Sequence, residues 1–335
     1  MATVVILGSG VMGSALAVPL SDNGHDVRLV GTHLDRAIID AIRSTRVHPG
    51  LGREIPASVR AHQLEELEDA FEDAEIVLSG VNSVGVEWAG ERLAPLLRPG
   101  QVVIAIAKGV RASQAGDLQI LPDVLAAQVA ADVREQLGWA AIVGPSIAGE
   151  VAARRESCVV FCGRDDAVLD RLATDFRTDW YYVWTSTDFI GCEICAAAKN
   201  CYALGVGLAE GELERRGEAA SPDRAHNYEA ALFAQSAVEI RQWASLIGGD
   251  LDTASWLPGV GDMYVTSTGG RNVKVGNLLG TGLGFTDASG HLGNPTLEGA
   301  AAIMVFGAAL GKLTERGMVG RDDFPLMRHL YEVVG

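Results

Sequence analysis

The sequence predicts an α/β protein, with a parallel-sheet domain over residues 1–187 followed by an all-α domain over residues 188–335. Three observations predict it. Short β-branched runs alternate with helical periodicity as far as Trp184, the pattern of successive βαβ units. Beyond Thr187 such runs cease, and long Ala-, Gly- and Leu-rich segments follow. The 335 residues, 48% hydrophobic and 21% charged, suffice for two cores and carry the balance of an α/β protein.

In chain order, strands are expected at Thr3–Leu7, Asp26–Val30, Ile76–Ser79, Val102–Ala107, Ala140–Val143, Cys158–Cys162 and Tyr181–Trp184. Helical periodicity occupies Ser14–Asp22, Asp35–Ser44, Val86–Leu97 and Ala167–Phe176, so helices should cover both faces of a parallel sheet. Thr187-Asp188 starts a helix running towards Arg216. Ser221-Pro222-Asp223 offers a cap, a first-turn proline and an acid facing the positive helix end. That helix runs to Ile247 and stops at Gly248-Gly249. Further helices fit Pro258–Thr266, Pro295–Leu310 and Pro325–Val333.

Composition excludes several functions. A net charge of −16, from 27 basic and 43 acidic residues, argues against nucleic acid or an anionic membrane as partner. An anionic substrate would need a local basic cluster, for which Lys108, Lys199, Arg271 and Lys274 are candidates. The longest uncharged apolar run, Gly299–Gly311, is well short of the ~20 residues that span a bilayer. No basic and apolar leader precedes the first strand. The expectation is a cytoplasmic protein without membrane insertion. Apolar surface on the second domain would suit a homodimer interface or a monomer's core equally. Cys158, Cys162, Cys192, Cys195 and Cys201 are odd in number and lie in apolar stretches, as reduced, buried thiols do. Cys192-x-x-Cys195 has no second pair at zinc-like spacing, so no metal is expected.

Gly8-Ser9-Gly10-Val11-Met12-Gly13 directly follows the first strand and opens the first helix. Gly8 permits the tight turn, Gly10 lets backbone approach a pyrophosphate, and Gly13 lets helix pack on strand. In that context the loop predicts a Rossmann-type dinucleotide site. The second strand ends in Val30-Gly31-Thr32-His33, with Asp35 and Arg36 slightly beyond. Asp35 could serve a ribose 2′-hydroxyl and Arg36 a 2′-phosphate, so the cofactor reads as NAD or NADP.

Lys199 sits among alanines in Cys195-Ala196-Ala197-Ala198-Lys199-Asn200, small neighbours that give it room to face a cleft. A partly desolvated ammonium can protonate the carbonyl oxygen of a ketone receiving a hydride. Lys108 follows the strand Val102–Ala107, at the carboxyl end where ligands of open sheets bind. For each lysine, a solvated surface position accounts for the sequence as well. Gly144-Pro145-Ser146-Ile147-Ala148-Gly149-Glu150 likewise follows a strand and turns into a helix. In Gly261–Asn272, Asp262 and Thr266 share a helical face. Gly269-Gly270 then releases the helix, and Arg271-Asn272 offers the fork and amide suited to a phosphate or carboxylate.

These motifs, in this order from residue 4 to about 310, resemble the NAD(P)-dependent sn-glycerol-3-phosphate dehydrogenase family. The resemblance implies reversible reduction of dihydroxyacetone phosphate to glycerol 3-phosphate, a small phosphorylated substrate. Lys199 would be the general acid/base, with Lys108 also at the substrate and Asp262 tuning Lys199. Asn200 and Thr266 would line the same pocket, and Arg271 and Asn272 would hold the phosphate. The cofactor would meet Gly8 through Gly13, including Ser9, Val11 and Met12, and also Arg36, Asn82, Ala148, Arg271 and Glu298.

Two departures bear on cofactor preference more than on chemistry. Met12 stands where the family often has an aromatic, and Val81-Asn82-Ser83 where it has Val-Pro-Ser. Asn82 adds a donor and an acceptor, which leaves room for a different polyol phosphate. The competing readings are a dehydrogenase of the same architecture acting on another polyol phosphate or hydroxy acid, ketopantoate reductase being one relative, and a dinucleotide sensor without turnover. A sensor needs no proton donor, so Lys108, Lys199 and Asp262 together speak against it.

Overall fold

The structure, a computed structural model, describes residues 1–218, 226–293 and 297–335. Ser221-Pro222-Asp223 and Pro295, two of the expected helix starts, lie outside the described residues. The chain forms two compact units, one of Met1–Ala107 with Leu121–Phe189 and one of Lys108–Ile120 with Ile190–Gly335.

The first unit is built on eight strands: β1 (Thr3–Leu7), β2 (Asp26–Val30), β3 (Arg60–His62), β4 (Ile76–Ser79), β5 (Val102–Ala105), β6 (Gly138–Val143), β7 (Ser157–Gly163) and β8 (Tyr181–Ser186). Their order is β8-β7-β6-β5-β4-β1-β2-β3. Pairing is parallel from β3 across to β6, with Thr3 opposite Asp26 and Val4 opposite Ile76 on the two sides of β1. The strand order therefore reverses between β1 and β4, the switch point where open α/β sheets bind ligands. Val4 and Ile6 point into a core containing Leu29, Ile104 and Phe161. Val5 and Leu7 point into a second core with Val77 and Val103. Both faces are covered, which explains the unbroken apolar reading of β1.

The sheet departs from the expected all-parallel pattern at β7, which runs antiparallel to β6 with Ala140 opposite Gly163. Only the short helix Ala148–Ala152 lies between them. Five residues of helix rise ~7 Å, too little for a crossover that would restore the parallel direction. β3 escaped the sequence reading because Arg60-Ala61-His62 is short and polar. Of the first-half helices, α1 (Val11–Asp22) matters most for the site.

In the second unit the main helices are α2 (Phe189–Arg215), α3 (His226–Leu246), α4 (Asp262–Ser267), α5 (Arg271–Gly280), α6 (Glu298–Glu315) and α7 (Pro325–Val334). The helix expected over Pro258–Thr266 divides into a π-helical turn, Leu257–Gly261, and then α4. A Cβ at Gly259 would sit 1.9 Å from the Ala254 carbonyl oxygen, so the turn requires a residue without one. α2 and α5 meet backbone to backbone. Cβ atoms at Gly211 and Gly276 would lie 1.9 Å from the carbonyl oxygens of Asn277 and Leu204 respectively.

Trp243 on α3 packs against Phe306 and Phe324, with ring centroids 4.7 and 4.4 Å away. Glu239, fully buried on the same helix, accepts hydrogen bonds from Tyr202 Oη (2.9 Å), Leu326 N (2.7 Å) and Met327 N (2.9 Å). It thereby caps the amino end of α7.

The hairpin Val110–Ala112/Leu118–Ile120 belongs to this unit although the sequence reading places residues 108–120 in the first domain. Arg316, just beyond α6, donates to Asp117 Oδ1 at 2.7 Å and to the Ala115 carbonyl at 3.0 Å. These partners lie some two hundred residues apart in sequence, a pairing no local pattern announces. Among the described residues no helix is long and apolar enough to cross a membrane.

Candidate active site

The glycine loop of the first unit fits a dinucleotide on its own geometry. Gly8 has φ +114°, and a Cβ there would lie 2.7 Å from the Gly80 carbonyl carbon. A Cβ at Gly13 would lie 2.3 Å from the Gly8 carbonyl oxygen, whereas one at Gly10 would meet nothing within 4 Å. The chain is thus pressed tight on the sheet side and open beside Gly10. Gly10 is the N-cap of α1 and supplies no side-chain cap. The first-turn N–H groups have no intrahelical acceptor and can receive a pyrophosphate. These residues fit NAD or NADP.

Other residues expected at the cofactor are spread through this unit. Val11 is exposed, Met12 half-buried, and Ser9 fully buried. Asn82 is exposed and accepts from Gly85 N through Oδ1 at 3.1 Å, which commits the acceptor that its side chain introduces. Ala148 opens its helix, half-buried against the core. Arg36 is exposed and paired with Glu65. Asp35 Oδ2 accepts from Thr32 N, Thr32 Oγ1 (2.9 Å each) and Ser9 N (3.2 Å).

The proton-transfer candidates converge within the second unit. Asp262, at 0% exposure, receives Lys108 Nζ on Oδ2 at 2.9 Å and Lys199 Nζ on Oδ1. The π-turn and α4 place Asp262, while α2 places Lys199 at 5% exposure among Ala196, Ala197 and Ala198. Two ammoniums sharing one carboxylate cannot both be charged without cost. Burial lowers Lys199 to about 7, helped by the Lys108 charge and opposed by Asp262. Lys108 also loses hydration, but Asp262 outweighs that and holds it above its ordinary value. Glu298, at the start of α6, is raised by burial against the pull of Lys108, Arg271 and Lys199.

Gly270, at φ +100°, turns the chain from α4 into α5, and Arg271 and Asn272 form the first turn of α5. Arg271 is exposed. Asn272 Nδ2 donates to Asn200 Oδ1 at 3.3 Å, and its Oδ1 accepts from Gly299 N at 3.2 Å. One amide thus joins α2, α5 and the start of α6. Thr266 Oγ1 donates back to the Asp262 carbonyl at 2.7 Å. Lys274, the fourth candidate cation, is exposed on α5. None of the five cysteines is in a disulfide, and four of them are buried.

Sequence reasoning missed the brace on the glycine loop. His48, buried on the short hairpin Val47–His48/Arg53–Glu54, lies 2.9 Å through Nε2 from the Ser9 carbonyl. A lone histidine before a proline carries no signal of such a contact.

Comparison with known proteins agrees with this geometry. The family model for the NAD-dependent glycerol-3-phosphate dehydrogenase N-terminus matches residues 3–168, and that for its C-terminus matches residues 188–335. An NADP(+)-dependent glycerol-3-phosphate dehydrogenase of Archaeoglobus fulgidus is 37% identical over 289 residues, 86% of this chain and 83% of that one. A glycerol-3-phosphate dehydrogenase [NAD(P)+] of Lactobacillus delbrueckii is 31% identical over 306 residues, 90% and 86% of the two chains. Among solved structures, glycerol-3-phosphate dehydrogenase from Coxiella burnetii superposes with a TM-score of 0.81 at 25% identity, over 99% of this chain and 94% of that one. The chain belongs to the NAD-dependent glycerol-3-phosphate dehydrogenase family.

Proposed function

We propose that the protein catalyses reversible hydride transfer between NAD(P)H and dihydroxyacetone phosphate, giving sn-glycerol 3-phosphate. The observation that carries this is the buried Lys108–Asp262–Lys199 cluster in the same unit as the Arg271-Asn272 helix start. Residues 1–187 serve the dinucleotide and residues 188–335 the substrate, with Lys108 contributed to the substrate side.

The nicotinamide, when bound, supplies the hydride for reduction and accepts it in reverse. Lys199 gives its Nζ proton to the carbonyl oxygen as that oxygen becomes an alkoxide, and takes it back in the oxidation. A group poised at about 7 serves both directions near neutrality. Asp262 fixes the Lys199 ammonium through Oδ1 and spends its other oxygen on Lys108. Lys108 remains charged and adds electrostatic stabilisation to the developing oxyanion. The Arg271 guanidinium and the open first turn of α5 receive the phosphate. Asn272 fixes that turn against α2, which also carries Lys199. A local patch of cations holds a small dianion within a chain of net charge −16.

The test is NADH and NADPH oxidation with dihydroxyacetone phosphate beside related keto-phosphates and 2-keto acids. Turnover is expected with dihydroxyacetone phosphate, and its absence with both cofactors overturns the reading. Arg271→Ala should raise KM for the phosphorylated ketone roughly 30-fold, equivalent to about 2 kcal/mol, the scale of a hydrogen bond to a charged group. It should change turnover of unphosphorylated dihydroxyacetone little, and equal losses on both substrates would remove Arg271 from phosphate binding.

A further inference from the structure

We propose that His48 and Asp35 are positioning residues for the dinucleotide, acting together on the Ser9 peptide groups of the glycine loop. The proposal rests on the dinucleotide reading of that loop and deepens it.

His48 is 1% exposed, and its protonation pattern follows from its partners. Nδ1 accepts from Gly50 N at 3.0 Å and from Leu51 N at 3.1 Å, so it carries no proton. Nε2 therefore bears the hydrogen and donates it to the Ser9 carbonyl at 2.9 Å. Ser14 Oγ donates to the same carbonyl at 3.1 Å. On the other side of the residue, Asp35 Oδ2 accepts from Ser9 N at 3.2 Å while also holding Thr32 N and Oγ1. Both backbone groups of Ser9 are thus engaged by side chains from outside the loop.

This has a steric counterpart. A Cβ on Gly50 would lie 3.1 Å from Val11 Cγ1, so the turn held by His48 also abuts the first residue of α1. With the Ser9 peptide planes fixed, Gly10 and the first turn of α1 keep one orientation before any ligand arrives. Affinity gained in this way comes from preorganisation and not from a contact with the ligand.

The same geometry gives Asp35 a meaning different from that of a ribose reader. An acid that read the 2′-hydroxyl would, when removed, weaken NADH selectively. An acid that holds Ser9 and Thr32 affects NADH and NADPH alike. The ratio of the two affinities separates these roles, and the ligand-free melting temperature separates positioning from a general loss of stability.

The experiment measures Kd for NADH and NADPH by dinucleotide fluorescence, with ligand-free melting temperatures, on the wild type, Asp35→Ala, His48→Asn and His48→Gln. Asparagine keeps an acceptor near Nδ1 for the 50–51 turn but withdraws the donor to Ser9. Glutamine extends an N–H towards Ser9. Asp35→Ala and His48→Asn should each weaken both dinucleotides by roughly tenfold, the worth of one hydrogen bond, with their ratio within about twofold of wild type. His48→Gln should recover part of the loss. Wild-type affinity in His48→Asn, equal weakness in the Asn and Gln variants, or loss of NADH alone in Asp35→Ala overturns the proposal. Unfolding of both His48 variants assigns His48 to stability and overturns it too. If the wild type binds neither dinucleotide, the underlying reading of the loop falls first.

Discussion

At the scale of the residue, the shared carboxylate of Asp262 makes the charge on Lys199 the quantity that pH controls. Lys199 is lowered to about 7, so it carries its proton below that value and loses it above. Reduction uses the protonated form, and kcat/KM for dihydroxyacetone phosphate should fall as pH rises through about 7. Oxidation of glycerol 3-phosphate uses the neutral form and should rise through the same region. Both profiles are best read above pH ~6.5, where the substrate phosphate is largely dianionic. Asp262→Asn removes the charge that opposes burial of the ammonium, so the inflection should move to lower pH. An unchanged inflection would detach Asp262 from the titration. Lys199→Ala should lower kcat by about 10²–10⁴, the range for a lost general acid, with dinucleotide Kd retained. Activity within a few-fold of wild type would end that assignment. The burial of Lys199 favours the cleft reading of its three preceding alanines over the solvated one. The resemblance implied the link of Asp262 to Lys199, whereas its bond to Lys108, 154 residues away, left no local trace.

At the scale of elements, the site is held by helices that touch through glycine. α2 carries Lys199 and Asn200, α5 carries Arg271 and Asn272, and Gly276 fixes their separation. Gly276→Ala places a carbon 1.9 Å from the Leu204 carbonyl oxygen, and backbone cannot rotate away as a side chain does. The helices must part, at a cost of about 1–3 kcal/mol for an overpacked contact. The urea midpoint should fall, and kcat with it as the Asn200–Asn272 bond is stretched. A variant equally stable and active would show that the helices can slide freely. Strands β1, β2 and β4 match their expected limits because their apolar runs are bounded by turns. α5 has no counterpart in the sequence reading: Arg271-Asn272 reads as a binding motif, and the Gly276 and Gly280 that follow depress helix propensity. Those glycines are tertiary in purpose, placed where another backbone passes.

At the scale of the whole molecule, the chain enters the second unit twice, at Lys108 and at Ile190. Periodicity could place the later boundary, since strands give way to helices there. The earlier insertion, a hairpin between two stretches of the first unit, looks locally like any loop after a strand. The other whole-chain dependence lies at the far end. Glu239 turns two of its oxygen contacts to the backbone N–H groups of Leu326 and Met327, and α7 also buries Leu326, Met327 and Leu330. A chain stopped at Phe324 would lose two hydrogen bonds to a buried carboxyl group, about 2–5 kcal/mol before any packing is counted. That is a large fraction of the whole stability of many proteins. Such a truncation should be recovered in the insoluble fraction, whereas a soluble product with a wild-type urea midpoint would contradict the capping role of Glu239. The consequence reaches the ribosome. Until the first turn of α7 emerges, Glu239 lacks two donors, so a nascent chain with every proposed catalytic residue already translated still has an unfinished interior.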